Sequence, residues 1–364
     1  MPLPFPVPPG WERAFAELPR SRFLPDVIWP HDLATDTFTV ADRAADPRAW
    51  RRAAEADVPV VTQWDDGRHT GPGPGRDATS SASRPSLVAA MLEALEVTPG
   101  MRVLEIGTGT GWNAALLAHR LGERNVTTVE IDPRVAADAA KALARAGLRP
   151  DLVVGDGAEG APDAAPFDRI IATAGLSRVP PAWTRQVRPG GLILTPWGTP
   201  YSRWEGLARL TVGPDGSASG PFVDLVAFMK LRAQRRAVPR YPEGLPFTDS
   251  MGGVWPPHEL WHPFRFLAGL RLPDVTHAVQ AHGDGHTQWL YSLTDASWTA
   301  AVRRGVGPVE IRQAGTRRLW DELLDAYAWW TTAGEPGIHD FGLTITPDGT
   351  HTPWLDTPAT PVRP

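Results

Sequence analysis

The sequence predicts an α/β fold: a doubly wound, mostly parallel sheet with an antiparallel edge, an N-terminal segment and an additional C-terminal domain. Two observations carry this reading. Apolar, strand-like runs at 102–106, 125–130, 151–154, 168–173 and 191–196 alternate with helix-spaced stretches at 112–121, 133–146 and about 181–187, the pattern of parallel strands joined by helical crossovers. Two further β-like runs, 207–212 and 223–229, follow too closely for helical crossovers and so predict antiparallel strands. A helix over 86–96 stops near Pro99-Gly100 and leads into the first strand of the series.

Three regions follow. Residues 1–75 form an entry segment, with a helical pattern near 11–18 and a charged stretch near 41–56, closed by Gly71-Pro72-Gly73-Pro74-Gly75. Residues 76–234 carry the alternating pattern, and the basic stretch 230–240 reads as a solvated linker, with contact to an acidic peptide as the alternative. Residues 235–364 are rich in Pro and Trp and show one convincing helix, at 317–332. Eight of the 16 Trp residues lie from Trp255 onward. Such density fits either core packing or a peptide-binding surface.

Bulk properties narrow the function. A formal net charge of −5 over 364 residues argues against a broad nucleic-acid footprint. The absence of Cys excludes disulfides, thiolate metal sites and Cys nucleophiles. No run approaches the ~18 apolar residues of a membrane-spanning helix. The first residues lack the basic and apolar regions of a signal peptide, so a soluble cytoplasmic protein is expected.

The chemistry is concentrated in Val103-Leu104-Glu105-Ile106-Gly107-Thr108-Gly109-Thr110-Gly111 and in Glu130, which closes the next apolar run. Glycines let the backbone approach a nucleoside, and an acid at the end of the second strand accepts hydrogen bonds from ribose hydroxyls. Trp112 stands where a dinucleotide fingerprint would place its third glycine, which argues against a pyrophosphate at the helix N-terminus. The cofactor expected is therefore one without phosphates, S-adenosylmethionine. Gly155-Asp156-Gly157 after the third strand can reach the adenine, and Asp168-Arg169-Ile170-Ile171-Ala172-Thr173-Ala174 forms the fourth strand, whose end faces the same cleft. Pro189-Gly190-Gly191 turns into the fifth. This succession reads as a class I, Rossmann-like methyltransferase domain. The cofactor set expected is Glu105, Gly107, Thr108, Gly109, Gly111, Glu130, Ile131, Gly155, Asp156, Gly157 and Thr173.

At these residues the chain resembles the protein-L-isoaspartate O-methyltransferases. The resemblance also rests on Leu18-Pro19-Arg20-Ser21-Arg22-Phe23-Leu24-Pro25 and Ser81-Ala82-Ser83-Arg84-Pro85-Ser86-Leu87-Val88-Ala89-Ala90-Met91, and it covers roughly residues 10–232. It implies that Ser83, with Ser81, is the catalytic position beside the acceptor carboxylate, and that Thr79, Ser80, Ser81 and Ser83 bind substrate. A helix N-cap is the plainer role for Ser83. The chain departs from the repair-enzyme pattern: Thr79-Ser80-Ser81-Ala82-Ser83 replaces Gln-Thr-Ile-Ser, the 23–75 segment is longer, and the tail from 235 onward is expected to have no counterpart. The serine-rich loop, the Trp-rich C-terminal domain and the helix start Thr316-Arg317-Arg318-Leu319-Trp320-Asp321-Glu322-Leu323 resemble the subfamily that accompanies ATP-grasp (graspetide) and lanthipeptide maturases in the biosynthesis of ribosomally made, modified peptides (RiPPs). That resemblance implies methylation of an Asp carboxylate in a precursor peptide that is already macrocyclised, leading to a succinimide (aspartimide) and in part to isoaspartate. Repair of isoaspartyl residues in damaged proteins is the alternative. A SAM-binding scaffold with a partner-binding tail is the reading from another class. The oligomeric state is left open.

No metal is expected. His258-Glu259-Leu260-Trp261-His262 matches a zinc-protease string but is flanked by Pro256-Pro257 and Pro263, which oppose a continuous helix. His282-Gly283-Asp284-Gly285-His286 reads as a turn. Methyl transfer to a carboxylate needs alignment and desolvation rather than a general base, so the lack of a Cys/His/Asp constellation fits the reading.

Overall fold

The computed structural model describes residues 5–236, 246–257 and 262–364. The chain enters through α1 (Glu12–Glu17), which buries Ala14 and Phe15. Strands β1 (Val27–Asp32), β2 (Thr37–Phe38) and β3 (Ala41–Asp42) precede α2 (Pro47–Glu55). Asp46 starts α2 by accepting from the Arg48 and Ala49 N–H groups at 3.0 and 2.9 Å, with Pro47 in the first turn. Strands β4 (Val60–Trp64) and β5 (Ala78–Ala82) complete an antiparallel sheet in the order β2-β1-β4-β5, with β3 against β1. Ile28, Trp50, Ala54, Val60 and Ala82 form its small core. The sequence did not announce this sheet. Two of its strands have only two residues each, and Pro30 interrupts β1, so no period-2 run emerges. The sheet continues to Ala82, so the boundary expected at 75 falls inside one structural unit.

Next come α3 (Pro85–Ala94), β6 (Val103–Ile106), α4 (Trp112–Leu121), β7 (Val126–Glu130), α5 (Pro133–Arg145), β8 (Asp151–Val154), β9 (Phe167–Ala172), α6 (Pro181–Gln186), β10 (Val187–Trp197), β11 (Glu205–Val212) and β12 (Ala218–Val226). They form a sheet in the order β8-β7-β6-β9-β10-β11-β12, parallel as far as β10 and antiparallel beyond. All four residues of β6 are buried, as expected for a central strand covered by helices on both faces. From β6 the chain winds outward through β7 and β8, then returns to place β9 on the other side of β6. That reversal opens a crevice at the C-terminal end of β6, where such sheets bind ligands.

The last part contains β13 (Phe247–Gly252), α7 (Phe264–Arg271), β14 (Val275–His282), β15 (Gly285–Ser292), β16 (Trp298–Arg304), β17 (Val309–Ala314), α8 (Leu319–Thr332), β18 (Phe341–Ile345) and β19 (His351–Leu355). Strands β13 to β17 form an antiparallel sheet in the order β13-β17-β16-β15-β14. Gly283-Asp284 is the tight turn joining β14 and β15, in accord with the turn reading of 282–286. Strands β18 and β19 leave this unit. β18 pairs antiparallel with β12, from Ala218↔Ile345 to Pro221↔Gly342, and β19 lies outside it, so the central sheet has nine strands. The expected domain 235–364 is therefore corrected: its last two strands belong to the central sheet. One apolar core runs from Leu104 and Ile106 through Phe222 to Phe264, Trp320, Trp330 and Phe341.

Candidate active site

The crevice beyond β6 is lined by the glycine loop, the ends of β7 and β9, residues 79–83 and residues 229–232 with Arg235. Gly107 and Gly111 sit at φ of +95° and +83°, where a side chain would be strained. A Cβ on Gly107 would also lie 2.8 Å from the Thr173 hydroxyl, which donates to the Gly107 carbonyl at 2.6 Å. The Gly107 and Thr108 N–H groups both donate to Val129 O, at 2.9 and 3.2 Å, which ties the loop to β7.

Glu130 ends β7 and is buried. Its two carboxylate oxygens accept from the Gly109 N–H at 2.9 Å and the Asp132 N–H at 3.0 Å. Each oxygen keeps capacity for another donor, which suits a vicinal diol. Glu105 lies deeper, fully buried, accepting from Asn113 Nδ2 at 2.7 Å and the Thr128 hydroxyl at 2.5 Å. Burial pushes its carboxyl up to about 7, against the hydrogen bonds from Thr128 and Asn113. Asp156 is fixed by the Ala158 N–H, which donates to Oδ1 at 2.9 Å, and the Trp183 indole N–H donates to Gly157 O at 2.8 Å. Trp112 opens α4, and its indole N–H donates to Leu18 O at 2.8 Å. The bulky residue at the missing glycine thus pins the entry segment to the core.

Thr79, Ser80, Ser81, Ala82 and Ser83 all line the crevice, as expected. The N-cap of α3 is Arg84, with no side-chain capping bond, so Ser83 does not serve as the cap. The first-turn N–H of Ser86 is taken by Asp57 Oδ1 at 2.8 Å. Ser83 is placed by its backbone. Arg20, buried beneath it, donates from Nη1 to Ser83 O at 2.9 Å and to Val58 O at 2.7 Å, from Nε to Ala54 O at 2.9 Å, and from Nη2 to Ala56 O at 2.8 Å and Ala53 O at 3.4 Å. The guanidinium thus caps the C-terminus of α2 and fixes the chain at Ser83 where β5 leads into α3. Burial lowers it to about 10, which leaves it protonated at neutral pH.

The expected site residues Ser81, Ser83, Thr79, Ser80, Glu105, Gly107, Thr108, Gly109, Glu130, Ile131, Asp156, Gly157 and Thr173 come together here. Gly111 and Gly155 do not line the crevice. Gly111 instead allows α4 to approach α5, since a Cβ there would meet Leu143 and Ala139 at 3.3–3.4 Å.

Sequence reasoning missed Lys230, Leu231, Arg232 and Arg235, read as a linker. Gly175 N–H donates to Met229 O and Leu231 N–H to Gly175 O, which lays this segment along the crevice. Lys230 Nζ meets the fully buried Glu205 at 2.5 Å, and Arg232 meets Asp132 at 2.8 Å. Arg235 donates to Asp66 Oδ1 at 2.8 Å and holds that carboxyl below the usual range. The partners lie 25 to 169 residues away in sequence, so no local signal could have announced them.

Trp255, Trp289 and Trp298 do not line the crevice, and Trp261 with most of the zinc-protease string lies outside the described residues. Among the described residues there is no cluster of three or more metal-ligating side chains, and no helix long and apolar enough to cross a membrane.

A family model for protein-L-isoaspartate(D-aspartate) O-methyltransferase (PCMT) matches residues 72–235. The protein-L-isoaspartate O-methyltransferase of Pyrococcus horikoshii is 39% identical over 155 residues, which is 42% of this chain and 70% of that protein. That of Anaeromyxobacter dehalogenans is 47% identical over 151 residues, 41% of this chain and 71% of the relative. A solved protein-L-isoaspartate O-methyltransferase shares the fold with a TM-score of 0.54 at 23% identity, across 96% of both chains. The expectation that the tail has no counterpart is thereby corrected at the level of fold.

Proposed function

Because the chain belongs to the protein-L-isoaspartate O-methyltransferase family, we propose that it methylates the free carboxylate of an isoaspartyl residue in a polypeptide, with S-adenosylmethionine as donor. The observation that carries this is the meeting of the glycine loop and Glu130 with the Ser81–Ser83 strand in one crevice. S-adenosylmethionine, when bound, supplies an electrophilic methyl on a positively charged sulfur. The residues present fit such a group: Glu130 and Asp156, both lining the crevice, suit a cationic nucleoside, and Glu130 is preset for ribose. Thr173 ties the loop down through the Gly107 carbonyl, and the buried Trp112 and Met91 give the crevice apolar lining. The acceptor carboxylate is already a nucleophile at neutral pH, so Ser81 and Ser83 need only orient it. With the donor bound, one oxygen of the carboxylate oriented by Ser81 and Ser83 would take the methyl, and the sulfur would keep the electron pair and leave as neutral S-adenosylhomocysteine. The resulting ester is open to attack by the next backbone nitrogen, which expels methanol and closes a succinimide.

A narrower reading places the carboxylate on an Asp side chain of a ribosomally made peptide already macrocyclised by a graspetide-type enzyme. Its support is the serine-rich Thr79-Ser80-Ser81-Ala82-Ser83 strand, which departs from the family's Gln-Thr-Ile-Ser.

The test is formation of S-adenosylhomocysteine with matched isoaspartyl, aspartyl and macrocyclic aspartyl peptides. Repair-type activity predicts turnover on the first alone, and equal rates on the first two would sink it. Glu130→Ala should weaken S-adenosylmethionine binding about tenfold or more by calorimetry, through lost charge-assisted hydrogen bonds of roughly 1.5–3 kcal/mol. Ser83→Ala should lower kcat and leave that affinity intact.

A further inference from the structure

A second, wider cleft of about 980 Å³ opens from the first where Ser80, Gly109 and Thr110 belong to both. One wall is α5, whose Arg134, Asp138, Lys141 and Arg145 recur at helical spacing along one stripe facing the cleft. The facing wall comes from the N-terminal unit and presents Arg43, Arg51 and Glu55, with Arg22 and Asp26 beside it. Six basic side chains thus meet three acidic ones, in a chain whose net charge is −5. The cationic excess is local.

Pairing within the cleft leaves much of that excess available. Arg43 lies 3.6 Å from Asp26 and Lys141 lies 2.9 Å from Asp138, so these two cations are matched. Arg22 donates to the carbonyls of Glu17 and Arg145, neutral acceptors that leave its charge uncompensated. Arg51, Arg134 and Arg145 have no acidic partner within ion-pair distance among the described residues.

We propose that this cleft seats the polypeptide flank of the methyl acceptor and selects acidic residues in it. The proposal rests on the methyl-transfer reading for where the reacting carboxylate sits, at Ser81 and Ser83. A chain leaving that point over Ser80 enters the second cleft directly, with backbone advancing about 3.3 Å per residue past Arg51, Arg134 and Arg145. Acidic side chains gain there through contacts at ion-pair range. Repulsion from the rest of the anionic surface is screened beyond about 10 Å. A neutral flank fits the same space without that gain.

The experiment uses the full-length protein saturated with S-adenosylhomocysteine and fluorescent isoaspartyl peptides that differ only in flanking Glu, Gln or Lys. Anisotropy should show the Glu peptide binding about tenfold tighter than the Gln peptide at low salt, and the Lys peptide weakest, with the spread collapsing near 0.3 M salt. The triple variant Arg51→Gln, Arg134→Gln, Arg145→Gln should lose the Glu preference and bind the Gln peptide and S-adenosylmethionine as the wild type does. Equal binding of Glu and Gln peptides, or a Glu preference that survives in the triple variant, overturns the cleft assignment. Binding is read without turnover, so an acidic preference with no methyl transfer to any peptide would sink the proposed reaction alone. Methyl transfer at equal kcat/KM for Glu and Gln peptides would sink the cleft alone.

Discussion

The two units attached to the central sheet contribute differently to the crevice. The N-terminal unit is small, with short strands and a core of a few residues, yet it places Thr79 through Ser83 against the glycine loop. The C-terminal β13–β17 unit is larger and far richer in aromatics, yet none of its described residues lines the crevice. Its tryptophans are structural: Trp298 and Trp320 are fully buried, and Trp330 shares a core with Phe264 and Tyr327. The lesson concerns what each chemistry needs. Orienting a carboxylate takes hydroxyls and backbone N–H groups on a rigid strand, whereas closing a large sheet takes bulky apolar volume.

The contrast can be broken most severely by truncation. Removing everything after residue 235 takes away β18 and β19 and, with them, buried Phe341, Leu343 and Ile345 from the shared core. The expected result is loss of the cooperative melt, since the loss rivals the 5–15 kcal/mol of a whole domain. A truncated chain that melts cooperatively and binds S-adenosylmethionine would show that the C-terminal part is a separable appendage.

Arg20→Ala probes the N-terminal attachment. It removes a buried guanidinium shared by five carbonyls, at an expected cost of about 3 kcal/mol in denaturant unfolding. It should also lower kcat more than it changes cofactor affinity, because Ser83 O loses its anchor. A fall in stability with kcat unchanged would confine Arg20 to capping α2.

The two regions should respond to pH with opposite sign. Burial raises Glu105 from 4.5 to about 7. Between those values the unfolded chain releases a proton that the folded chain keeps, so stability falls as pH rises, by up to about 3 kcal/mol, and is flat above. Burial, with Arg265 nearby, lowers His277 from 6.5 to about 4. Its ring bridges Tyr201 O and Arg265 Nη2 where the C-terminal sheet meets the core. The unfolded chain takes up the proton first there, so stability is lost as pH falls from 6.5 towards 4. Unfolding free energies measured across pH 4–8 should lose the first slope in Glu105→Gln and the second in His277→Gln. Slopes that persist in both variants would refute the assignments.

The smallest effect is expected from Trp289→Ala on β15. The melting temperature should drop by a few degrees, with kcat/KM on an isoaspartyl peptide changed less than twofold. A tenfold loss of kcat/KM would return the C-terminal sheet to substrate recognition.

Local chemistry determined seven of the nine strands of the central sheet and half of its site. The strands and helices from 85 to 212 stand within a few residues of where periodicity and caps place them, and Glu130 and Gly107 stand where a βα turn must put them. Each of those features is written in adjacent residues. Tertiary structure alone decided the rest. Arg20 finds its carbonyls 33 to 63 residues away, and Arg235 finds Asp66 at a separation of 169. Strand β18 joins β12 across more than a hundred residues, past an entire second sheet. The short strands of the N-terminal unit carry too little pattern to be read, because their pairing is fixed by burial against neighbours rather than by their own alternation. The sequence specifies what can bind a nucleoside; long-range packing specifies which hydroxyls and which arginines stand beside it.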